Sequence, residues 1–367
     1  MNTMKFYPQS VVWEITFACN MNCLHCGTAA GKKRPNELTT QEALDLIDEL
    51  ADLGTTEITL SGGEPLLRKD WRQLAERIVQ RGINCLMITN GYAVTEEIAK
   101  DFKRLGFNNV GVSLDGTEKT HNYIRRRPQS FQRATAALRM MAETGGYHFC
   151  ALSSISNLNF DDLEGIRDII IDCGCKLWRI QMVTGTGRMS ERPDQCLTLD
   201  RFPEFVAKIN EFKKDDRIKI DVGENIGHYG NGGYELLDGM PFFGCYAGMR
   251  VVGIESDGAI KGCLSMPEEF VEGNIRDSSF TEIWNNPDNF AYNRRFTRET
   301  ARGFCHDCKY LPLCRGGCTT TSYAASGCRA DNPYCIYRME CEAGIPQPED
   351  IDIVTDYLNR FKTVEVK

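Results

Sequence analysis

Several features of membrane, secreted and nucleic-acid-binding proteins are missing from this 367-residue sequence. No stretch approaches the ~18 consecutive apolar residues that a membrane-spanning helix needs, and the N-terminus lacks the basic and apolar segments of a secretory signal. Basic charge is not in excess, because 43 Lys and Arg stand against 51 Asp and Glu for a net charge of -8. Internal repeats and low-complexity segments are also missing. These absences predict a cytoplasmic protein without a membrane or nucleic-acid partner.

Cysteine is the residue type present in unusual number, with 17 copies. A cytoplasmic protein keeps its thiols reduced and uses clustered cysteines for metals or catalysis. The alternative is a disulfide scaffold, which is typical of small secreted domains that lack a core. The odd count and the 42% hydrophobic content disfavour that alternative, so metal binding is the leading interpretation.

The first half of the chain alternates between β-type runs and amphipathic helical patterns. The pair Thr39 and Glu42 has the spacing of a capping box, and glycines follow several of the predicted helices. Strands separated by helices pair in parallel, which predicts an α/β fold, either a doubly wound sheet or a complete or partial barrel with ligands at the carboxyl ends of its strands. The six predicted strands are residues 11–17, 57–60, 84–89, 109–114, 148–155 and 176–183.

Beyond residue 183 the alternation of predicted strands and helices stops. A helix is predicted around residues 202–212, followed by a glycine-rich stretch. From residue 241 the chain has nine cysteines in short loop-rich segments, where bound metal could replace a missing core. Asp257-Gly258 between two apolar runs predicts a hairpin. The predicted units are therefore 1–183, a bridging region 184–240, a cysteine-rich domain 241–345 and a C-terminal tail 346–367.

Three thiols, Cys19, Cys23 and Cys26, lie within eight residues directly after the first predicted strand. Iron–sulfur clusters take thiolate ligands, and three cysteines on a four-iron cubane leave one iron open for a non-protein ligand. A zinc ion would need a fourth ligand, and His25 is too close in sequence to Cys26 for easy joint chelation. A cubane with an open iron is the favoured interpretation, and zinc is the alternative.

Three motifs at successive strand ends carry a resemblance: C-x3-C-x2-C, Ser61-Gly62-Gly63-Glu64-Pro65 and Ser113-Leu114-Asp115-Gly116. In order and spacing they resemble the radical S-adenosylmethionine superfamily, over residues 11 to about 183. The resemblance implies a partial six-unit barrel of the TIM type. It also implies a cluster whose open iron binds the methionyl group, cleavage of the cofactor to a 5′-deoxyadenosyl radical, and a low-potential electron donor of the flavodoxin or ferredoxin type.

The resemblance also implies which residues contact the cofactor. Glu64 would accept from the ammonium group, and the glycines before it would let the backbone approach closely. Glu64 as a turn carboxylate, Asp115 as a turn cap and Arg125 in a solvated basic run are the plainer alternatives. The cofactor-binding residues implied are His25, Gly62, Gly63, Glu64, Pro65, Ser113, Asp115 and Arg125.

The later cysteines resemble the SPASM extension, whose seven cysteines hold two auxiliary iron–sulfur clusters. The resemblance implies three [4Fe–4S] clusters in all. Zinc ribbons are the alternative. The fourth ligand of the first auxiliary cluster is left unassigned: either one iron stays open, or Cys328 or Cys341 completes the cluster or replaces Cys335. The implied auxiliary ligands are Cys245, Cys263 and Cys318 for the first cluster, and Cys305, Cys308, Cys314 and Cys335 for the second.

Three clusters suit an enzyme that makes a substrate radical and removes an electron from it. The leading hypothesis, from the resemblance, is oxidative maturation of a ribosomally made peptide or protein through a thioether or carbon–carbon crosslink. Few residues lie outside the two predicted domains, so a separate leader-peptide recognition protein is expected if one is needed. A small-molecule enzyme acting on a tetrapyrrole side chain is the alternative, and a non-enzymatic electron carrier is a third.

Overall fold

A computed structural model describes residues 6–350 and 354–355. A ten-stranded sheet runs through it, with strand order β10-β9-β8-β1-β2-β3-β4-β5-β6-β7. The strands are β1 Ser10–Glu14, β2 Glu57–Ser61, β3 Asn84–Thr89, β4 Asn109–Ser113, β5 His148–Ile155, β6 Leu177–Met182, β7 Lys219–Val222, β8 Val251–Ile254, β9 Ala259–Lys261 and β10 Gly273–Asn274.

The helices are α1 Thr40–Asp52, α2 Trp71–Gln80, α3 Glu96–Arg104, α4 Glu118–Arg125, α5 Ser130–Thr144, α6 Leu163–Asp172, α7 Phe202–Phe212, α8 Asn231–Leu236, α9 Phe280–Asn285, α10 Ala291–Arg294, α11 Gly303–Asp307, α12 Leu311–Cys314, α13 Thr319–Ser326 and α14 Ile336–Glu342. Helices α1 to α7 lie between the parallel strands of the barrel in chain order, and α9 to α14 follow the last strand. The capping box at the start of α1 is present as predicted. Among the described residues no helix has the length and apolar character needed to cross a bilayer.

Strands β1 to β7 pair in parallel, which confirms the predicted α/β fold and its partial barrel. One face of these strands packs on the helices: Trp13, Val112 and Trp178 are fully buried in a continuous core. The opposite face lines the barrel interior, where Ile88 on β3 is 36% exposed. The free cysteines Cys85, Cys150 and Cys173 are buried, as expected for small hydrophobes.

The predicted hairpin around Asp257-Gly258 forms from β8 and β9. Strand β8 also pairs in parallel with β1, with Ser10 opposite Val251 and Trp13 opposite Ile254. The sheet therefore continues from the barrel into the cysteine-rich part of the chain. This pairing places the cysteines that flank the hairpin beside the first strand of the barrel.

Candidate functional site

The first cysteine set, Cys19, Cys23 and Cys26, lies in the loop between β1 and α1, at the carboxyl end of the first strand. The loop closes on itself because Cys19 N–H donates to the Gly31 carbonyl at 2.8 Å. Burial is the main cause that raises the pKa of Cys19 to about 11, and the nearby Cys23, Glu64 and Cys26 contribute to the increase. The loop therefore brings the three thiols together.

The glycines of the second motif pack against this same loop. A Cβ on Gly62 would overlap the Thr16 carbonyl, and one on Gly63 would overlap the Ala18 carbonyl. Gly63 N–H donates to Thr16 O, and Glu64 N–H donates to Ala18 O, both at 2.8 Å. The absence of side chains is thus needed to seat the second motif on the loop that holds Cys19.

Glu64 is fully buried at the end of this motif, beside the first residue of a short 3-10 turn, Pro65. Its carboxylate accepts from Thr89 Oγ1 at 2.7 Å, from Asn90 N–H at 2.8 Å and from Leu66 N–H at 3.3 Å. Burial nevertheless raises its pKa to about 7. Glu64 is therefore not a solvated turn carboxylate.

Asp115 lies two residues after the half-buried Ser113, the last residue of β4, and its carboxylate is fully buried. Its Oδ2 lies 2.5 Å from Arg125 Nη2 and 3.3 Å from His25 Nε2. Burial opposes ionisation, but Arg125 and His25 hold the pKa of Asp115 below its usual range. Arg125 Nη1 also lies 3.8 Å from Cys23 Sγ. Because its side chain is only 11% exposed, Arg125 is not part of a solvated patch.

A clamp on the cysteine loop comes from the segment after β6, which sequence reasoning missed. Arg188 donates from Nη1 to the Cys23 carbonyl at 3.2 Å and from Nη2 to the carbonyls of Ala29 and Ala30. A Cβ on Gly187 would overlap the Cys26 carbonyl. The glycine-rich run directly after the sixth strand was the available signal, since close backbone contact favours glycine.

The second cysteine set, Cys245, Cys263 and Cys318, flanks the β8–β9 hairpin and the start of α13. These three thiols lie within electrostatic range: the Cys245 thiol raises the pKa of Cys263, and both of these thiols raise the pKa of Cys318. Burial opposes ionisation of Cys245 itself, but hydrogen bonds, chiefly from Thr319, lower its pKa. Burial is the largest effect on Cys318, whose pKa it raises to about 12. Because β8 runs parallel to β1 with Val251 opposite Ser10, Cys245 and Cys263 flank the open end of the hairpin, beside the amino end of β1, whereas Cys19 follows its carboxyl end.

The third set comprises Cys305, Cys308, Cys314 and Cys335, whose thiols also repel one another's charge. Cys341 acts on Cys308 in the same way, so it lies near this set. Cys328 lies just past the end of α13, where its carbonyl accepts from Ser322 Oγ at 2.9 Å. The seven cysteines assigned to the two auxiliary sites therefore fall into two groups within electrostatic range, and Cys341 lies near the third set.

Donor chemistry decides whether these sets fit iron–sulfur clusters. Each set offers three or four thiols, which are the ligands that such clusters take, and a cubane spreads its ligands over four irons. Within the described ranges no group of three or more His, Cys, Asp or Glu side chains converges on a point that would hold a single metal ion. Next to the first set, His25 Nδ1 and Arg125 Nε are buried without a hydrogen-bond partner in the described part of the chain. A polar cofactor would satisfy them, so the site fits.

A cavity of about 400 Å³ opens between the first and second cysteine sets. Its lining includes Thr28 after Cys26, the Gly185–Gly187 run, Leu264 after Cys263, and Thr320 and Tyr323 on α13. Its cations are Arg34 and Lys261, and both are paired. Arg34 lies within 3.3 Å of Glu14, Glu255 and Asp257, and Lys261 contacts Glu255 and Glu268.

Comparisons with known proteins agree with this arrangement. Residues 13–173 match the Radical SAM superfamily, and residues 245–309 match the SPASM iron–sulfur cluster-binding domain. The chain is 30% identical to the AdoMet-dependent heme synthase of Methanosarcina barkeri, over 92% of this chain and 99% of that protein. It is 29% identical to the mycofactocin maturase MftC of Mycolicibacterium smegmatis, over 89% and 81%. Streptococcus suis SuiB bound to its precursor peptide SuiA has a similar fold, with a TM-score of 0.72 at 15% identity over 90% and 75%.

Proposed function

The chain belongs to the radical SAM superfamily and carries a SPASM domain, and we propose that it oxidatively modifies a ribosomally made peptide or protein. Members of this family are enzymes that use S-adenosylmethionine and iron–sulfur clusters. In this proposal Cys19, Cys23 and Cys26 hold the cluster that binds S-adenosylmethionine. When bound, this pair of cofactors supplies the organic radical of the family.

The residues around the first set would receive S-adenosylmethionine in defined ways. Glu64, already aimed by three donors, would accept from the ammonium group. Asp115 and Ser113, at the end of β4, would face the ribose, and Arg125 would balance the buried carboxylate of Asp115. The two later sets would hold auxiliary clusters, which gives the enzyme a place to pass the electron that oxidation of a substrate releases. A flavodoxin- or ferredoxin-type protein would supply the reducing electron.

The charge of the cavity is the observation that carries the peptide assignment. Two cations, Arg34 and Lys261, face four carboxylates in one network, and each cation contacts at least two of them. A substrate rich in carboxylates would have to displace these pairs and lose solvation without a free cation to replace it. An uncharged or basic peptide segment meets no such cost. The thioether or carbon–carbon crosslink is the product class that fits this oxidation.

A tetrapyrrole side chain is the second candidate substrate. The observation that favours it is the similarity to the AdoMet-dependent heme synthase, which spans 99% of that protein. The two candidates differ in charge, because the propionate groups of a porphyrin are anionic while a peptide segment need not be.

Mass spectrometry distinguishes the two. The reconstituted full chain is incubated anaerobically with S-adenosylmethionine and a reductant, in parallel with peptides encoded beside its gene and with iron coproporphyrin III. We expect 5′-deoxyadenosine together with a peptide product that has lost a pair of hydrogens. A porphyrin of changed mass with no changed peptide would contradict the peptide assignment. A leader-peptide recognition protein, added separately, tests whether the peptide needs one.

A further inference from the structure

The second cysteine set is one thiol short of the four that a fully protein-ligated cubane takes. Cys245, Cys263 and Cys318 lie together, but the six residues after Cys245 contain no cysteine. Cys341 lies near Cys308 in the third set, and neither it nor Cys328 is among the groups that most strongly affect the pKa of the three thiols of the second set. Another residue type is therefore a candidate for the fourth donor.

Helix α10 places a tyrosine side chain next to the second cysteine set. Two of its residues fix it to the loop after Cys245: Asn293 Nδ2 donates to the Ala247 carbonyl at 2.7 Å, and Arg294 Nε donates to the Gly248 carbonyl at 2.6 Å. Tyr292 is the second residue of the helix and directly precedes Asn293. Its ring packs edge-on against Phe270 at 5.3 Å, which holds the ring from the outer side.

The hydroxyl of Tyr292 lies in the seam between the two loops that carry Cys245 and Cys263. A Cβ on Gly262, the residue before Cys263, would overlap this hydroxyl, and would lie only 3.0 Å from Gly248 N. The thiols of Cys245 and Cys263 are both near enough to act electrostatically on the phenol. Gly262 thus has no side chain at the one place where the hydroxyl needs room.

This hydroxyl is buried and has no hydrogen-bond partner among the residues that the structure describes. A buried hydroxyl without a partner destabilises the folded protein, and such groups in native proteins point to a missing ligand or ion. The phenolate oxygen of tyrosine is an established ligand of iron in proteins. The unpartnered oxygen therefore lies beside the incomplete thiol set, on a helix that hydrogen bonds fix to the loop after Cys245.

We propose that Tyr292 is the fourth ligand of the cluster held by Cys245, Cys263 and Cys318. The inference rests on the proposed assignment of those three cysteines. Coordination replaces the O–H bond of the phenol with an Fe–O bond and releases the proton to solvent, as thiols do when they bind metal. No electron moves in this step. All four irons of the cluster would then have protein ligands, and the cluster would transfer electrons without binding substrate at iron.

Resonance Raman spectroscopy tests this ligation directly. The sample is the full chain with Cys19, Cys23 and Cys26 changed to Ala, reconstituted anaerobically, so that the first cluster does not contribute. We expect phenolate ring modes enhanced by excitation in a phenolate-to-iron absorption band, and a shift of these modes when tyrosine is ring-deuterated. Tyr292→Phe should abolish them.

Tyr147→Phe is the matched control, because its hydroxyl is also buried without a partner but its ring packs against Phe102 in the barrel. The control should keep the modes. No deuterium-sensitive modes in the parent protein, or equal modes in Tyr292→Phe, would overturn the ligation, as would a change of reduction potential without phenolate modes. If Tyr292→Phe fails to fold, the deuterated parent still decides.

A separate variant distinguishes failure of this inference from failure of the cysteine assignment. Cys263→Ala should lose about a third of the iron of the chain with all three clusters. If it keeps all its iron, the second set does not hold a cluster, and the ligand role of Tyr292 falls with it. If it loses iron while the phenolate modes are absent from the parent, the cysteine assignment stands and the inference about Tyr292 alone is refuted.

Discussion

Changing Glu64 to Gln removes one negative charge and almost no volume from the centre of the proposed cofactor site. The carboxylate accepts three hydrogen bonds from Thr89, Asn90 and Leu66, so truncation to Ala would leave buried donors unsatisfied and confuse folding with binding. Glutamine keeps one carbonyl acceptor in place. The clusters should be retained, because no thiol is touched.

The expected cost is that of one charge-assisted hydrogen bond to the ammonium group of S-adenosylmethionine. Such a bond contributes about 1.5–3 kcal/mol, so the affinity of Glu64→Gln should fall by roughly 10- to 150-fold. Glu64 has a pKa of about 7 because it is buried, and only its ionised form would bind the ammonium well. The affinity of the wild-type chain should therefore rise by about fivefold from pH 6 to pH 7, below the pKa of the ammonium group itself.

Anaerobic isothermal titration at these two pH values, with iron content as the control, measures both effects. Glu64→Gln should bind weakly and show no such rise with pH. Equal affinity in the variant and the wild type, with the same pH profile, would refute the role of Glu64 in binding and leave it as a residue that joins the second motif to β3.

Two further predictions concern contacts outside the cysteine ligands, and a third concerns the third cysteine set. Arg188→Ala should speed the loss of iron from the first set to a chelator, while Arg192→Ala should not, because Arg188 holds three carbonyls of the loop; equal rates would show that the clamp is not needed. Burial raises the pKa of Glu14 to about 7, so its stability contribution is present below its ordinary pKa and is lost as the pH rises through 7. The unfolding free energy of the cluster-free chain should therefore fall less from pH 5 to pH 8 in Glu14→Gln than in the wild type, by denaturant titration, and parallel profiles would contradict this. Cys308→Ala with Cys314→Ala should still form 5′-deoxyadenosine but lose modified peptide, with circular dichroism as the folding control; product at the wild-type rate would make the third set structural.

The strands of the barrel could be predicted from sequence because each is a short apolar run between helical patterns. All six predicted strands overlap an observed strand. Strand β7 was missed, since its four residues include Lys219 and Asp221 and show no buried run. The pairing of β8 with β1 could not be predicted either, because it joins segments about 240 residues apart that share no local signal.

The candidate site, like the fold, was predicted from the sequence only in part. Cysteine spacing and the motifs at the strand ends identified the thiols and Glu64, because motifs that bind cofactors consist of particular residue types at fixed spacing. Arg188 belongs to no such motif, since it binds backbone carbonyls that any sequence supplies. The hydroxyl of Tyr292 was missed because its nearness to Cys263 depends on how α10 packs on a loop more than 40 residues earlier.

The metal content of the anaerobically reconstituted chain tests the central claim most directly. Three cysteine sets holding cubanes predict roughly twelve irons per chain with iron–sulfur charge-transfer absorbance. Changing Cys19, Cys23 and Cys26 to Ala should remove about a third of that iron and all cleavage of S-adenosylmethionine. Zinc in place of iron, or cleavage that survives loss of the first set, would contradict the account.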